Sequence, residues 1–221
     1  MDSEFWAAIA GAVVGGLISL GVQLLAFRYS KKQAKDAKQD TQIALAKSLL
    51  LKTMKINAHL NQFQKHNEFH FKLADEQKLG AWQVVKAFAN LPQQIHFSTD
   101  ELTLLLSLNA DDLFNEIVML DEIHNDAIEL FRTYKEMRGS LTQLLPSKME
   151  GSHGIAELTP EQLFTLRPKM VELEALAQDI KIRCEQDTSE SWSCLTKLMT
   201  TFRDKLGLKL TVEKRKQAPT T

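Results

Sequence analysis

Residues Phe5–Phe27 read FWAAIAGAVVGGLISLGVQLLAF and contain no Asp, Glu, Lys or Arg. At about 1.5 Å rise per residue, a helix over this stretch is roughly 35 Å long, enough to cross a hydrocarbon core of about 30 Å with some tilt. A helix of a globular core carries a polar stripe on its outer side, and this stretch has none. The sequence therefore predicts one transmembrane helix at 5–27 behind a short external segment, 1–4. A cleaved signal peptide fits less well: it needs a basic start and an apolar core of about 7–15 residues. Here Asp2 and Glu4 precede a longer run.

The flanks predict orientation. Arg28, Lys31, Lys32, Lys35 and Lys38 follow the run, opposed only by Asp36. Lys and Arg close to a span stay on the cytosolic side, so the expected topology is N-terminus outside and C-terminus in the cytosol. The expected location is a single-pass position in a bacterial inner membrane. The five cations are candidate partners for anionic lipid headgroups. Trp6 and Tyr29 bracket the run at headgroup level.

Ala7, Gly11, Gly15, Ser19 and Gln23 recur every four residues and so share one line on a helix. Small residues allow close backbone approach in lipid, with Ser19 and Gln23 able to hydrogen-bond across the seam. The expectation is a homo-oligomer or a partner membrane helix. Failing that seam, an oligomer would be held by Leu45, Leu49, Ile56 and Phe63.

The remainder reads as all-α. Residues 28–41 are polar, rich in Lys, Gln and Ala, and free of Gly and Pro, as in a basic helical stalk. Residues 42–207 form the expected cytosolic helical domain, an irregular antiparallel bundle with a coiled-coil-like stripe at Leu45, Leu49, Ile56, Phe63 and Leu73. This first helix is expected to reach about Leu79. A short helix is expected at Ala81–Leu91, stopped by Pro92. Ser98 and Glu101 form a capping box. Asn109 is the expected cap of a long helix whose inward track runs through Leu113, Ile117, Leu120, His124, Ile128, Phe131, Tyr134, Arg138, Leu141 and Leu145. Ser147–Leu158 reads as a loop. Thr159, Pro160 and Gln162 start a helix that Pro168 should break or kink, and a last helix is expected from Asp187 or Ser189 to Gly207. The basic tail 208–221 shows a weak alternation at Leu208–Val212.

Few residues suggest chemistry. The net charge of −1 gives no global field for nucleic acid, and none is expected as a partner. The two cysteines, Cys184 and Cys194, make no zinc-type pair. His66 and His70 lie four apart on one helical face with His59 two turns earlier, a spacing able to chelate a transition metal. Glu68 falls about 200° away from either imidazole and cannot act as a base beside that metal. Asp121 and His124 supply half of a carboxylate–histidine pair of the kind di-metal bundles use, without the second half. There is no GxxxxGK[ST], no GxGxxG after a strand and no GxSxG. The expected function is a membrane-anchored, non-enzymatic interaction protein that docks a cytosolic partner and needs no cofactor. The alternative is a membrane-tethered metalloenzyme or metal sensor on His59, His66 and His70.

Overall fold

The structure, a computed structural model, describes the backbone of residues 3–145, 147–150 and 153–209, and the side chains of residues 22–145 and 157–209. In chain order it contains α1 (Ser3–Gln77), α2 (Ala81–Val84), α3 (Thr99–Ser107), α4 (Asp111–Leu144), β1 (Ser147–Glu150), β2 (His153–Ala156) and α5 (Pro160–Leu206). The chain divides into two compact units, 1–45 and 46–221.

The first unit is helical from Ser3, and its described side chains are exposed through Thr41. Among the described residues no helix is long and apolar enough to cross a membrane. The side chains of residues 5–21, most of the predicted span, lie outside the described residues, as do Ala7, Gly11, Gly15 and Ser19 of its small-residue line. Gln23 and the cations Arg28, Lys31, Lys32, Lys35 and Lys38 are exposed.

The second unit is a helix bundle built on three apolar stripes. Buried positions of α1 (Leu49, Ile56, Leu60, Phe63, Phe71), α4 (Leu113, Ile117, Leu120, Ile128, Phe131, Tyr134) and α5 (Leu173, Ala177, Ile180, Leu195, Leu198, Phe202) follow steps of three and four residues. Asn57 meets Ser191 and Asn67 meets Cys184, so α1 and α5 are antiparallel. His59 meets His124 and Phe63 meets Phe131, so α1 and α4 are parallel. The expected antiparallel bundle is thus corrected for one helix pair. Parallel helices need a return crossing, supplied by α2, an irregular strap at 85–98, and α3. Leu49, Ile56 and Phe63 are fully buried within this core, so they are not available to hold an oligomer.

Several boundaries move for identifiable reasons. Helix α1 ends at Gln77, where Lys78 turns left-handed at φ 54°. Helix α2 has only four residues, because Val85 and the chain beyond it bond to side chains of the bundle and leave the helix. Asn109 is not a cap but a left-handed residue at φ 52° between α3 and α4, and Ala110 occupies the N-cap of α4. The predicted loop after α4 holds an antiparallel hairpin with Lys148 opposite Ile155 and Met149 opposite Gly154.

Helix α5 runs through both Pro168 and Ser189. The bond that Pro168 deletes would have reached the carbonyl of Phe164, a residue 84% exposed, where water can replace it. Further on, Thr188 Oγ1 donates back to the Cys184 carbonyl at 2.7 Å, and Ser191 is buried against Asn57. The polar residues that suggested a new start are used inside the helix. Cys184 and Cys194 therefore sit about 15 Å apart along one helix and cannot pair. Burial pushes both thiols up to about 12, so they stay protonated.

The caps at Ser98 and Thr159 and the left-handed Gly207 (φ 68°) stand as the sequence implies. The first of these is part of a larger joint. Glu101, 2% exposed, accepts from Ser48 Oγ (2.6 Å), Lys52 Nζ (2.7 Å) and the Ser98 amide (2.7 Å). Burial alone would raise its pKa, but the bonds from Lys52, Ser48 and Ser98 outweigh that and hold it below the usual range. Its stabilising effect is present above the ordinary carboxyl pKa and is lost as pH falls through the lowered one. Glu101→Gln keeps the shape but leaves the Lys52 ammonium, itself part exposed, without its anion. We expect a loss of about 2 kcal/mol in urea unfolding at pH 7, with the difference shrinking as pH falls below the ordinary carboxyl range. Equal stability at pH 7 would show that the joint does not hold α3 to α1.

Candidate functional site

The three histidines proposed as metal ligands separate into two places. His66 and His70 are neighbours, with ring centroids 4.2 Å apart. Each already has a carbonyl: His66 Nε2 donates to Lys86 O at 2.7 Å, and His70 Nδ1 donates to His66 O at 2.7 Å. Phe88 packs on His66 at 4.1 Å. His59 joins neither of them and stacks instead on His124 of α4, with centroids 5.2 Å apart. Among the described residues no three His, Cys, Asp or Glu side chains come together to hold a metal ion. Helical spacing placed the imidazoles on one face of α1, but packing gave them different partners.

The His59–His124 contact is the centre of a polar network whose proton positions follow from its geometry. Asn125 grips the backbone of Ile95 twice: its Oδ1 accepts from the Ile95 amide at 3.2 Å and its Nδ2 donates to the Ile95 carbonyl at 3.1 Å. That double contact fixes which end of the amide is oxygen. His124 Nδ1, 3.2 Å from Asn125 Oδ1, must then carry the proton and donate it. His124 Nε2 is left as an acceptor, so His59 Nδ1 donates to it across 3.0 Å. His124 is fully buried. A second proton on His124 Nε2 would face the N–H of His59, unless His59 first moved its own proton to Nε2.

These surroundings set its ionisation. Burial first, and His59 second, lower the His124 pKa to about 4, against smaller opposing effects from Asn125 and Asp121. Burial also lowers His59, with Lys55 adding to it. His66 and His70 are lowered by burial too, partly offset by the carbonyls they bond. All four imidazoles are therefore held neutral near pH 7. Asp121, named with His124 as half of a di-metal pair, turns to His96 instead: His96 Nδ1 lies 3.3 Å from Asp121 Oδ2. The sequence reading put His124 on the inward face but did not connect it with His59. Nothing in the pattern of either helix reveals that they run parallel.

A second feature is the seam between α4 and α5. Two clefts, of about 190 and 320 Å³, share Ile123 and follow the seam. Leu120, Ile123, Ala127 and Phe131 form the apolar side, while Asp126, Asp187 and Glu190 bring carboxylates to it. Burial, then Glu190, raise Asp187 to about 6, with Asp126 adding a smaller push and Arg183 opposing. Glu116, paired with Lys197, and Arg183 also line the seam, which leaves four carboxylates against two cations.

The His124 environment has a measurable consequence. An imidazole whose pKa is lowered on folding lets the unfolded chain bind the proton more readily, so stability is lost as pH falls from about 6.5 towards 4. From pH 7.5 to pH 5, His124 alone should cost about 2 kcal/mol. Asp187 acts with the opposite sign, because its raised pKa favours the folded state as pH falls. The test is therefore the difference between two slopes. His124→Gln should remove about 2 kcal/mol of the acid-induced loss seen in urea midpoints of the parent chain. An unchanged slope would mean that His124 is not held neutral.

No protein-family model matches the chain, and neither the curated proteins nor the solved structures contain a significant match to it.

Proposed function

We propose that this chain is a membrane-anchored, non-enzymatic interaction protein, crossing a bacterial inner membrane once at 5–27 and presenting its helix bundle to the cytosol. One observation carries the reading. Val22, Leu24, Leu25 and Phe27 are 61%, 61%, 68% and 67% exposed on α1. At 100° per residue they point to all sides of the helix. A partner helix covers one face, whereas an apolar surface on every side calls for an apolar solvent, which is what a bilayer supplies. The uncharged run of residues 5–21 continues the same character, and the cations from Arg28 to Lys38 suit anionic headgroups at its cytosolic end.

Ala7, Gly11, Gly15, Ser19 and Gln23 supply the face on which the span pairs with itself or with another membrane helix. In the bundle, the α4/α5 seam is the docking surface we favour. Its apolar base and surplus carboxylates suit an amphipathic helix carrying Lys or Arg. The metalloenzyme alternative loses support from the separation of His59 from His66 and His70.

The anchor is tested by alkaline extraction of native membranes. The full chain should remain in the pellet. Leu17→Arg, a cation at the middle of the run, costs roughly 2.5–3.5 kcal/mol of insertion and should move much of the chain to the supernatant. Complete extraction of the parent chain would remove the proposal. In the same membranes Gly11→Ile with Gly15→Ile should stay in the pellet but lose self-association in a membrane two-hybrid signal, whereas Val13→Ile should not. Equal signals from both variants would dismiss the seam.

A further inference from the structure

Helix α5 ends at Leu206, and the left-handed Gly207 folds the chain over its last turn. The Gly207 amide donates to the Arg203 carbonyl at 3.0 Å, and the Leu208 amide donates to the Phe202 carbonyl at 3.3 Å. Leu208 is half-buried. From there the sequence reads LKLTVEKRK over 208–216. In an extended chain alternate side chains share one edge, so Leu208, Leu210, Val212, Lys214 and Lys216 fall on the same side. That edge is apolar first and basic second. Glu213 falls on the other edge.

The α4/α5 seam has the same order when followed back from the end of α5. Its first cleft is lined by Met119, Leu120, Ile123 and Cys194, and Glu116 there is already paired with Lys197. Further along, Glu190 is followed by Asp187 and Asp126, with Arg183 as the cation lining that stretch. The lengths agree as well. Each extended residue advances about 3.3 Å and each helical one about 1.5 Å. Run back along α5 from Gly207, an extended chain brings Val212 level with roughly residue 196, beside the apolar cleft. Lys214 and Lys216 come level with roughly residues 192 and 187, the stretch that carries Glu190 and Asp187.

We propose that the segment 208–216 docks back into the α4/α5 seam, with Leu210 and Val212 on its apolar stretch and Lys214 and Lys216 at Glu190, Asp187 and Asp126. The chain then carries its own occupant for this surface. The inference rests on the reading of the seam as a docking surface for a basic partner, and it names what that partner must displace. Burial and Glu190 hold Asp187 above the ordinary carboxyl range, and a lysine beside it favours the charged form. A tethered segment acts at an effective concentration on the order of millimolar, so even weak contacts keep the seam filled until a tighter partner arrives.

The test uses the full chain in a neutral detergent with a benzoylphenylalanine photo-cross-linker at Val212. Cross-links should form within one copy, to Met119 or Ile123 of α4. Lys214→Glu with Lys216→Glu should cut their yield about tenfold. Cross-links that fall outside the seam, that form only between copies, or that keep their yield in the charge-reversed chain overturn the proposal. A labelled peptide of residues 208–221 separates this outcome from the fate of the seam itself. It should bind the charge-reversed chain about tenfold or more tightly than the parent chain, whose own segment is in the way. Equal binding to both chains overturns self-docking and leaves the seam as a docking surface. Binding to neither chain removes the surface and self-docking with it.

Discussion

The crossing between α2 and α3 must satisfy its own backbone without a ladder. Peptide groups that leave helices and sheets need side chains or water, and where they lie against a core, side chains must supply the bonds. In the second unit the donors and acceptors come from α1 and α4: His66 for Lys86, Tyr134 for Val85, Asn125 for Ile95 and Lys52 for His96. The crossing exists because α1 and α4 run parallel, and successive parallel helices cannot be joined by a tight turn.

The same requirement explains why histidine and asparagine recur there. A carbonyl or amide at the edge of an apolar layer is best met by a side chain that is neutral, planar and able both to give and to accept. Such groups fix one another. Asn125 is oriented by Ile95, His124 by Asn125, and His59 by His124. A charged residue in the place of His124 would be buried without a partner, at a cost of several kcal/mol. Glu101 is the exception that shows the rule: as a buried anion it has three donors, one of them a cation.

Towards function, the residues carried an expected location and no chemistry. The expectation rested on an uncharged run beside a basic flank, because the bilayer's demands on length and charge are simple. The histidines were legible as residues but not as a site. One helix face can be read from spacing, whereas the partner face depends on which helix lies opposite and in which direction it runs. His59 and His124 are 65 positions apart, and Asn125, which orients His124, takes its own direction from Ile95 in the crossing segment.

The sequence by itself determined the helical class, the inward residues of each long helix, and the ends marked by Ser98, Thr159 and Gly207. Stripe periodicity and capping chemistry are local, and local rules suffice for them. Tertiary structure decided whether local stop signals were obeyed. Pro168 and Ser189 sit within α5 because the buried stripe from Leu173 to Phe202 continues in register, and its packing outweighs the preference of a few residues for a break. The short α2 is the opposite case: Ala81–Leu91 has helical character, but the chain must leave the helix at Val85 to cross between parallel neighbours. Tertiary structure also decided the relative direction of α1 and α4, and with it the contacts among His59, His124, Asn125 and His96. No local pattern encodes that direction, because an apolar stripe packs equally well against a neighbour running either way.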